Sequence, residues 1–176
     1  MELRADTRLP FPRPLVFSAY RDKLSELVDY LPNIRRIEVK DRKENGPVVE
    51  LVNVWHGGGD VPAVARAFLS EAMLAWTDTV RWDETTFTAD WHVKTHAFPE
   101  AVVSRGRNSF VEDGNSTIFQ LRGDLTIDAS KLKGVPKLLS GSVAKAVEEF
   151  LVKKIGPNMV EVAQGVAKYL EAQKGR

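Results

Sequence analysis

The chain has 176 residues, with 25 Lys and Arg against 24 Asp and Glu, and no cysteine. This near-neutral balance excludes a global field that would draw the protein to nucleic acid or to an anionic membrane. The absence of cysteine excludes disulfides, thiolate metal sites and a cysteine nucleophile. Hydrophobic residues at 43% and charged residues at 28% are those of an ordinary globular protein. The length suits one domain, expected over residues 1–176. The opening MELRADTRLPF is charged and alternating, unlike a signal peptide. No apolar run is long enough for stable membrane insertion. The expected compartment is the cytoplasm, so the sequon Asn115-Ser116-Thr117 reads as an accident within a turn.

Glu2 to Leu9 alternate, with Leu3, Ala5, Thr7 and Leu9 on one side, and predict a half-buried strand. Pro10, Pro12 and Pro14 end it, because proline has no N–H for a ladder. From Leu15 to Leu31 the period is helical and breaks into two short helices. Strands resume at Ile34 to Val39 and, after the Asn45-Gly46 turn, at Val48 to His56. Gly57-Gly58-Gly59 predicts a flexible loop. Pro62 to Trp76 holds helix formers without one clean stripe and predicts short helical turns.

Four more strands follow at Thr79 to Thr88, Asp90 to Phe98, Val102 to Glu112 and Thr117 to Asp128. Asp113-Gly114-Asn115 joins the last two as a tight hairpin. After a linker from Leu132 to Gly141, an amphipathic helix is expected from about Ser142 to about Ala172. Val143, Val147, Phe150, Leu151 and Ile155 line its first half, and Val162, Val166, Tyr169 and Leu170 its second. Gly156-Pro157 predicts a kink or a break within it.

Helices segregated from an antiparallel meander indicate an α+β fold. The expected architecture is a helix-grip: a curved antiparallel sheet of about seven strands wrapped around the long C-terminal helix, with two short helices after the first strand. This layout resembles the START-like superfamily of the birch pollen allergen, steroid-transfer domains and polyketide cyclases. Locally the resemblance is carried by Phe68-Leu69-Ser70-Glu71-Ala72-Met73-Leu74-Ala75-Trp76, by Trp82-Asp83, by His96-Ala97-Phe98-Pro99 and by Gly123-Asp124-Leu125, which look like a bacterial branch. The resemblance implies a cavity between sheet and helix and supplies no shared catalytic motif; the fold alone does not fix a function.

Assigning charged residues outward places Leu51, Asn53 and Trp55 inside on one strand, and Val80 and Trp82 on the next. The following strands then point Trp91, Val93, Thr95 and Ala97 inward, then Ser104, Gly106, Asn108 and Phe110, then Phe119, Leu121, Gly123 and Leu125. A slip of one residue would invert any of these sets. Large aromatics beside small or polar groups suit a ligand cavity, in which a few amides and hydroxyls fix the pose. The candidate ligand-binding residues are therefore Asn53, Trp55, Trp82, Trp91, Thr95, Ser104, Asn108, Phe119 and Leu121. Gly106 and Gly123 are read either as space left for a ligand or as bulges and close helix approach.

The histidines, His56, His92 and His96, suit a solvated face better than a metal pair on one strand. Gly57-Gly58-Gly59-Asp60 lacks the Gly-Lys-Ser/Thr ending of a phosphate loop and is better read as a gate or a plain hairpin loop. Arg105, Arg107 and Arg122 could meet an acidic group or simply face water. Ser104 and Ser109 lack a neighbouring base. No cofactor, metal or catalytic residue is expected. The favoured function is binding or transport of an apolar small molecule, such as a lipid, polyketide or isoprenoid. A cyclase-type enzyme would need an ionisable residue pointing inward. A protein-interaction module would have a filled core.

Overall fold

The computed structural model describes residues 1–58, 74–131 and 136–174. Among these, seven strands form one antiparallel sheet: β1 (Glu2–Leu9), β2 (Ile34–Asn45), β3 (Val48–Gly57), β4 (Ala75–Asp83), β5 (Thr88–Thr95), β6 (Val102–Asp113) and β7 (Ser116–Ile127). Helix α1 (Arg13–Asp22) and a 3-10 turn (Glu26–Tyr30) separate β1 from β2. A second 3-10 turn (Ala129–Lys131) precedes the long helix α2 (Lys137–Lys174). The spatial order β1-β7-β6-β5-β4-β3-β2 is a meander closed by β1 returning to the edge of β7.

Local chemistry sets most of these boundaries. Pro12 and Pro14 stand at the start of α1, where the missing N–H is not needed. Two-residue turns join β2 to β3 and β6 to β7; Gly46 and Gly114 take their first positions at φ of 57° and 60°, a region glycine enters without steric cost. β4 stops at Asp83 because its carboxylate accepts hydrogen bonds from the Thr85 backbone N–H at 3.0 Å and the Thr85 hydroxyl at 2.6 Å, bending the chain into a turn. Phe87 completes that turn at φ 51°, unusual for a bulky residue. Its ring is held edge-on to Phe17, and the Arg13 guanidinium lies 4.1 Å above it.

Several boundaries differ from the sequence expectation. β2 runs past Val39 to Asn45. β4 begins at Ala75, so Trp76 belongs to a strand and not to helical turns. β5 ends at Thr95, and His96 to Pro99 form the following turn. Positions 62–73 of the segment expected as helical turns lie outside the described residues, as do Gly59 and positions 132–135. Helix α2 begins five residues before Ser142 and is continuous across Gly156 and Pro157, so there is no break. The side chains of Val143, Val147, Phe150, Leu151 and Ile155 lie outside the described residues. In the second half, Ala163, Val166, Tyr169 and Leu170 are buried and Val162 is half-buried.

The pairing aligns the inner face in rows across the sheet. One row is Trp55, Trp76 and Thr95; the next is Asn53, Asp78, Val93, Ser104 and Leu125. A third is Leu51, Val80, Trp91, Gly106, Gly123 and Leu3. The fourth is Val49, Trp82, Ala89, Asn108, Leu121 and Ala5, and beyond it Phe110 faces Phe119. The register expected for these strands is the observed one.

Trp91 decides the third row. Its indole lies over Gly106 and Gly123, where a Cβ at Gly123 would meet the ring at 2.7 Å and the Arg105 carbonyl at 2.6 Å. The two glycines are thus neither ligand space nor a helix contact; they are the bed of a tryptophan. A side chain at either position must displace the ring or the backbone. We expect Gly123→Ala to destabilise the fold by about 1–3 kcal/mol, with a shift in tryptophan emission. Urea denaturation checks this, and unchanged stability would mean that Trp91 is not seated there.

Candidate functional site

The two ends of the inner face differ in chemistry. At one end, α1 lays Phe17 and Tyr20 onto Trp82, Phe110 and Phe119. Phe17 meets Trp82 and Phe110 edge-on at 5.2 Å, and Tyr20 stacks on Phe119 at 5.3 Å. This is a packed aromatic cluster, and Leu121 is buried beside it. Trp91 marks the middle, donating its indole N–H to Asn108 Oδ1 at 3.0 Å.

Past Trp91 the face becomes polar. Asn53 is fully buried, and neither end of its amide has a hydrogen-bond partner among the described residues. The same holds for the Trp55 indole N–H and the Thr95 hydroxyl. Trp55 stacks on Trp76 with ring centroids 5.9 Å apart, giving this end a flat apolar wall. Ser104 differs: its hydroxyl donates to the Asp124 carbonyl at 2.9 Å. Of the nine residues singled out from sequence, the fold gathers Asn53, Trp55 and Thr95 here. Trp82, Phe119 and Leu121 are placed in or beside the aromatic cluster, Trp91 and Asn108 between, and Ser104 in the row with Asn53.

The group that sequence reasoning missed is Asp78. It is buried on β4, directly opposite Asn53 on β3 and Val93 on β5. Burial pushes its carboxyl up to about 7, against the opposing pull of the Asn53 amide and the Trp55 N–H. Those two groups lean toward it without closing a hydrogen bond of full geometry. From α1, Tyr20 senses its charge: burial first, and Asp78 second, raise the phenol. Strand parity could have found Asp78, since Val80 and Trp82 inward put Asp78 and Trp76 inward too; the expected strand started one residue too late.

Other candidates fall away from this interior. His56 meets Glu38 at 2.8 Å and Arg36 at 3.2 Å across β2 and β3. His96 meets the Thr77 hydroxyl at 2.8 Å. Arg107 pairs with Asp90 at 2.6 Å, and Arg122 with Asp6 at 2.8 Å. No group of three His, Asp or Glu side chains among the described residues could hold a metal. An open groove of about 390 Å³ along β2–β5 is lined by Lys43, Glu50, Arg81 and Asp90, among others, and by none of Asn53, Trp55, Asp78 or Thr95.

The sequence matches no protein-family model and no curated protein. Solved structures do match it. The Zhui aromatase/cyclase from Streptomyces sp. R1128 is 16% identical, with a TM-score of 0.68 over 97% of this chain and 93% of that one. The norcoclaurine synthase of Thalictrum flavum is 13% identical, with a TM-score of 0.60 over 97% of this chain and 86% of that one. A START superfamily protein from Mycobacterium smegmatis is 13% identical, with a TM-score of 0.53 over 96% and 98%. The chain has the helix-grip fold of these START-like proteins. At such identities the likeness fixes the fold and leaves the chemistry to the chain's own residues.

Asp78 makes stability depend on pH. In the unfolded chain it ionises near 3.8, in the folded one near 7. Between those values the folded state keeps a proton that the unfolded state has lost, so this contribution to stability falls as pH rises from about 4 to about 7 and is flat above. The loss is on the order of 4 kcal/mol. Asp78→Asn should therefore match the parent near pH 4 and exceed it above pH 7. Urea titrations of both proteins across that range measure the difference, and a constant gap would contradict the shift.

Proposed function

We propose that this chain binds an apolar small molecule between the inner face of its sheet and helix α2, with the Asn53, Asp78 and Thr95 end of that face fixing the pose. The observation that carries this is that the buried polar atoms of Asn53, Trp55 and Thr95 gather at one end of the inner face without partners among the described residues. Such atoms each cost about 1–3 kcal/mol when left unmatched, and a bound molecule with a polar end would satisfy them. Apolar walls with a few convergent polar groups are the general form of small-molecule sites. The described part of α2 packs on β1, β7 and α1, while Asp78 lies three strands from β7 in the sheet, about 14 Å at the usual strand spacing. The molecule would enter over β3 and β4. A lipid, polyketide or isoprenoid has the matching character, and a cytoplasmic protein without nucleic-acid partners fits the composition. No helix among the described residues is long and apolar enough to cross a membrane.

A second reading, an enzyme of the cyclase kind, gains a specific observation in Asp78, the inward ionisable residue it requires. An interaction module with a filled core fits the aromatic end alone and leaves the polar end unexplained.

N-Phenyl-1-naphthylamine, an apolar fluorescent probe, should bind saturably and quench tryptophan emission. Thr95→Phe, one row on from Asp78 on the neighbouring strand, should crowd the proposed site and weaken the probe at least tenfold, on the order of 1.4 kcal/mol, while thermal unfolding stays cooperative. No saturable binding, and no small molecule retained in native mass spectrometry of the purified protein, would sink the binding reading and favour the interaction module.

A further inference from the structure

We propose that Asp78 is a proton-transfer residue that acts on the carbon next to the carbonyl of a bound apolar ketone, while the Asn53 amide and the Trp55 indole hold the ketone oxygen. The proposal rests on the binding reading above and deepens it by naming the ligand class and a reaction.

The placement comes from the strand register. Asn53 and Asp78 are a directly opposed pair on β3 and β4, which sets their Cβ atoms about 5 Å apart. Trp55 is one row on, on the same face, opposite Trp76. A carboxyl and two N–H donors therefore converge on one spot from adjacent strands, held by the sheet and not by a loop. Both donors, Asn53 Nδ2 and Trp55 Nε1, lack partners among the described residues. A ligand whose polar end is an acceptor suits them, and a ketone oxygen accepts two hydrogen bonds.

The carboxyl is the part that simple binding does not need. Among the described residues, no positively charged group influences it. Among the described residues, it is approached by Asn53 and Trp55 from β3, by Val93 from the opposed position on β5, and by Tyr20 from α1; of these only Tyr20 can titrate, and burial keeps it neutral. A carboxyl of this kind near neutrality is populated in both states, as a general acid–base requires. Raised basicity also makes it a stronger acceptor of a carbon-bound proton.

The step balances without a cofactor. The Asp78 carboxylate takes a proton from the carbon beside the carbonyl: the C–H bond breaks and an O–H bond forms on Asp78. The electron pair enters a new C=C bond, and the charge moves to the ketone oxygen. There it meets the two N–H donors, placed where negative charge develops. Returning the proton to the same carbon, or to another along a conjugated chain, restores the carboxylate. The flat Trp55–Trp76 stack offers a planar conjugated intermediate a matching wall.

The test uses 2-tetralone in deuterated buffer, with deuterium uptake beside its carbonyl followed by NMR and binding followed separately by tryptophan quenching. Parent protein should accelerate uptake over buffer, and the bound-state rate should rise with pH to a plateau with a midpoint near 7, where Asp78 ionises. Asp78→Asn, expected to fold at least as stably, should lose uptake per bound 2-tetralone by about 10²-fold or more. Asn53→Leu should slow uptake without moving the midpoint by a full unit. Binding without accelerated uptake, or equal uptake in Asp78→Asn, overturns the proton-transfer role and leaves the binding reading intact. Failure of 2-tetralone to bind, where the naphthylamine probe does, overturns the ketone class. Failure of both probes removes the binding reading itself.

Discussion

The interior is organised by one tryptophan lying across two glycines. Trp91 reaches from β5 over the backbone of β6 and β7, and only the absence of a Cβ at Gly106 and Gly123 lets it lie flat. Close packing of this kind is unforgiving, since interiors are as dense as organic crystals. The ring is further pinned by its bond to Asn108, so its rotation and its height are both set. On one side of it the aromatic rings of Phe17, Tyr20, Trp82, Phe110 and Phe119 cluster. On the other lie Asp78 and the buried polar atoms of Asn53, Trp55 and Thr95, which lack partners among the described residues.

That division separates stability from chemistry. Tyr20, Phe17, Trp82, Phe110 and Phe119 interlock through edge-on and stacked contacts, each worth about 0.5–1.5 kcal/mol beyond area burial. The helix is moored nearby. Tyr169 donates to Glu26 at 2.6 Å, and Gly165 lets α2 approach Leu31 closely. Asp78 opposes this at neutral pH by keeping a carboxyl where its ionised form is poorly solvated. A fold with a strong aromatic end can carry that destabilisation, and sites that depend on strained or desolvated groups commonly draw on such reserve.

Much of this was legible from pattern alone. Alternation in Thr117 to Asp128, and the glycine turns at Gly46 and Gly114, placed β7 and the hairpins because period and turn chemistry are local properties. Inward faces followed from keeping charges outward, and Asp78 escaped because the expected strand began at Thr79, one residue after it, so parity was never applied to it. The roles of Gly106 and Gly123 were not legible, because what fills the space above a glycine comes from a strand more than ten residues away. Helix continuity at Pro157 was likewise out of reach, since proline's local cost can be overruled by tertiary contacts that sequence does not display.

Asp78 also distinguishes the two functional classes that this fold can host. A carrier needs its polar groups satisfied by the cargo and gains nothing from a group that changes charge near neutrality; an amide at that position would bind a carbonyl as well and would cost the fold less. A catalyst needs the opposite, a group whose two protonation states lie close in energy. Asn53, directly across the ladder, shows that the sheet can place an amide at this level of the interior. With an amide on β3 and a carboxyl on β4 in one opposed pair, the proposed reaction divides its work between two positions: one to hold an oxygen and the other to move a proton. The proposed reaction depends on that pairing more than on the burial of either residue, because only the opposed register brings the amide and the carboxyl to one spot.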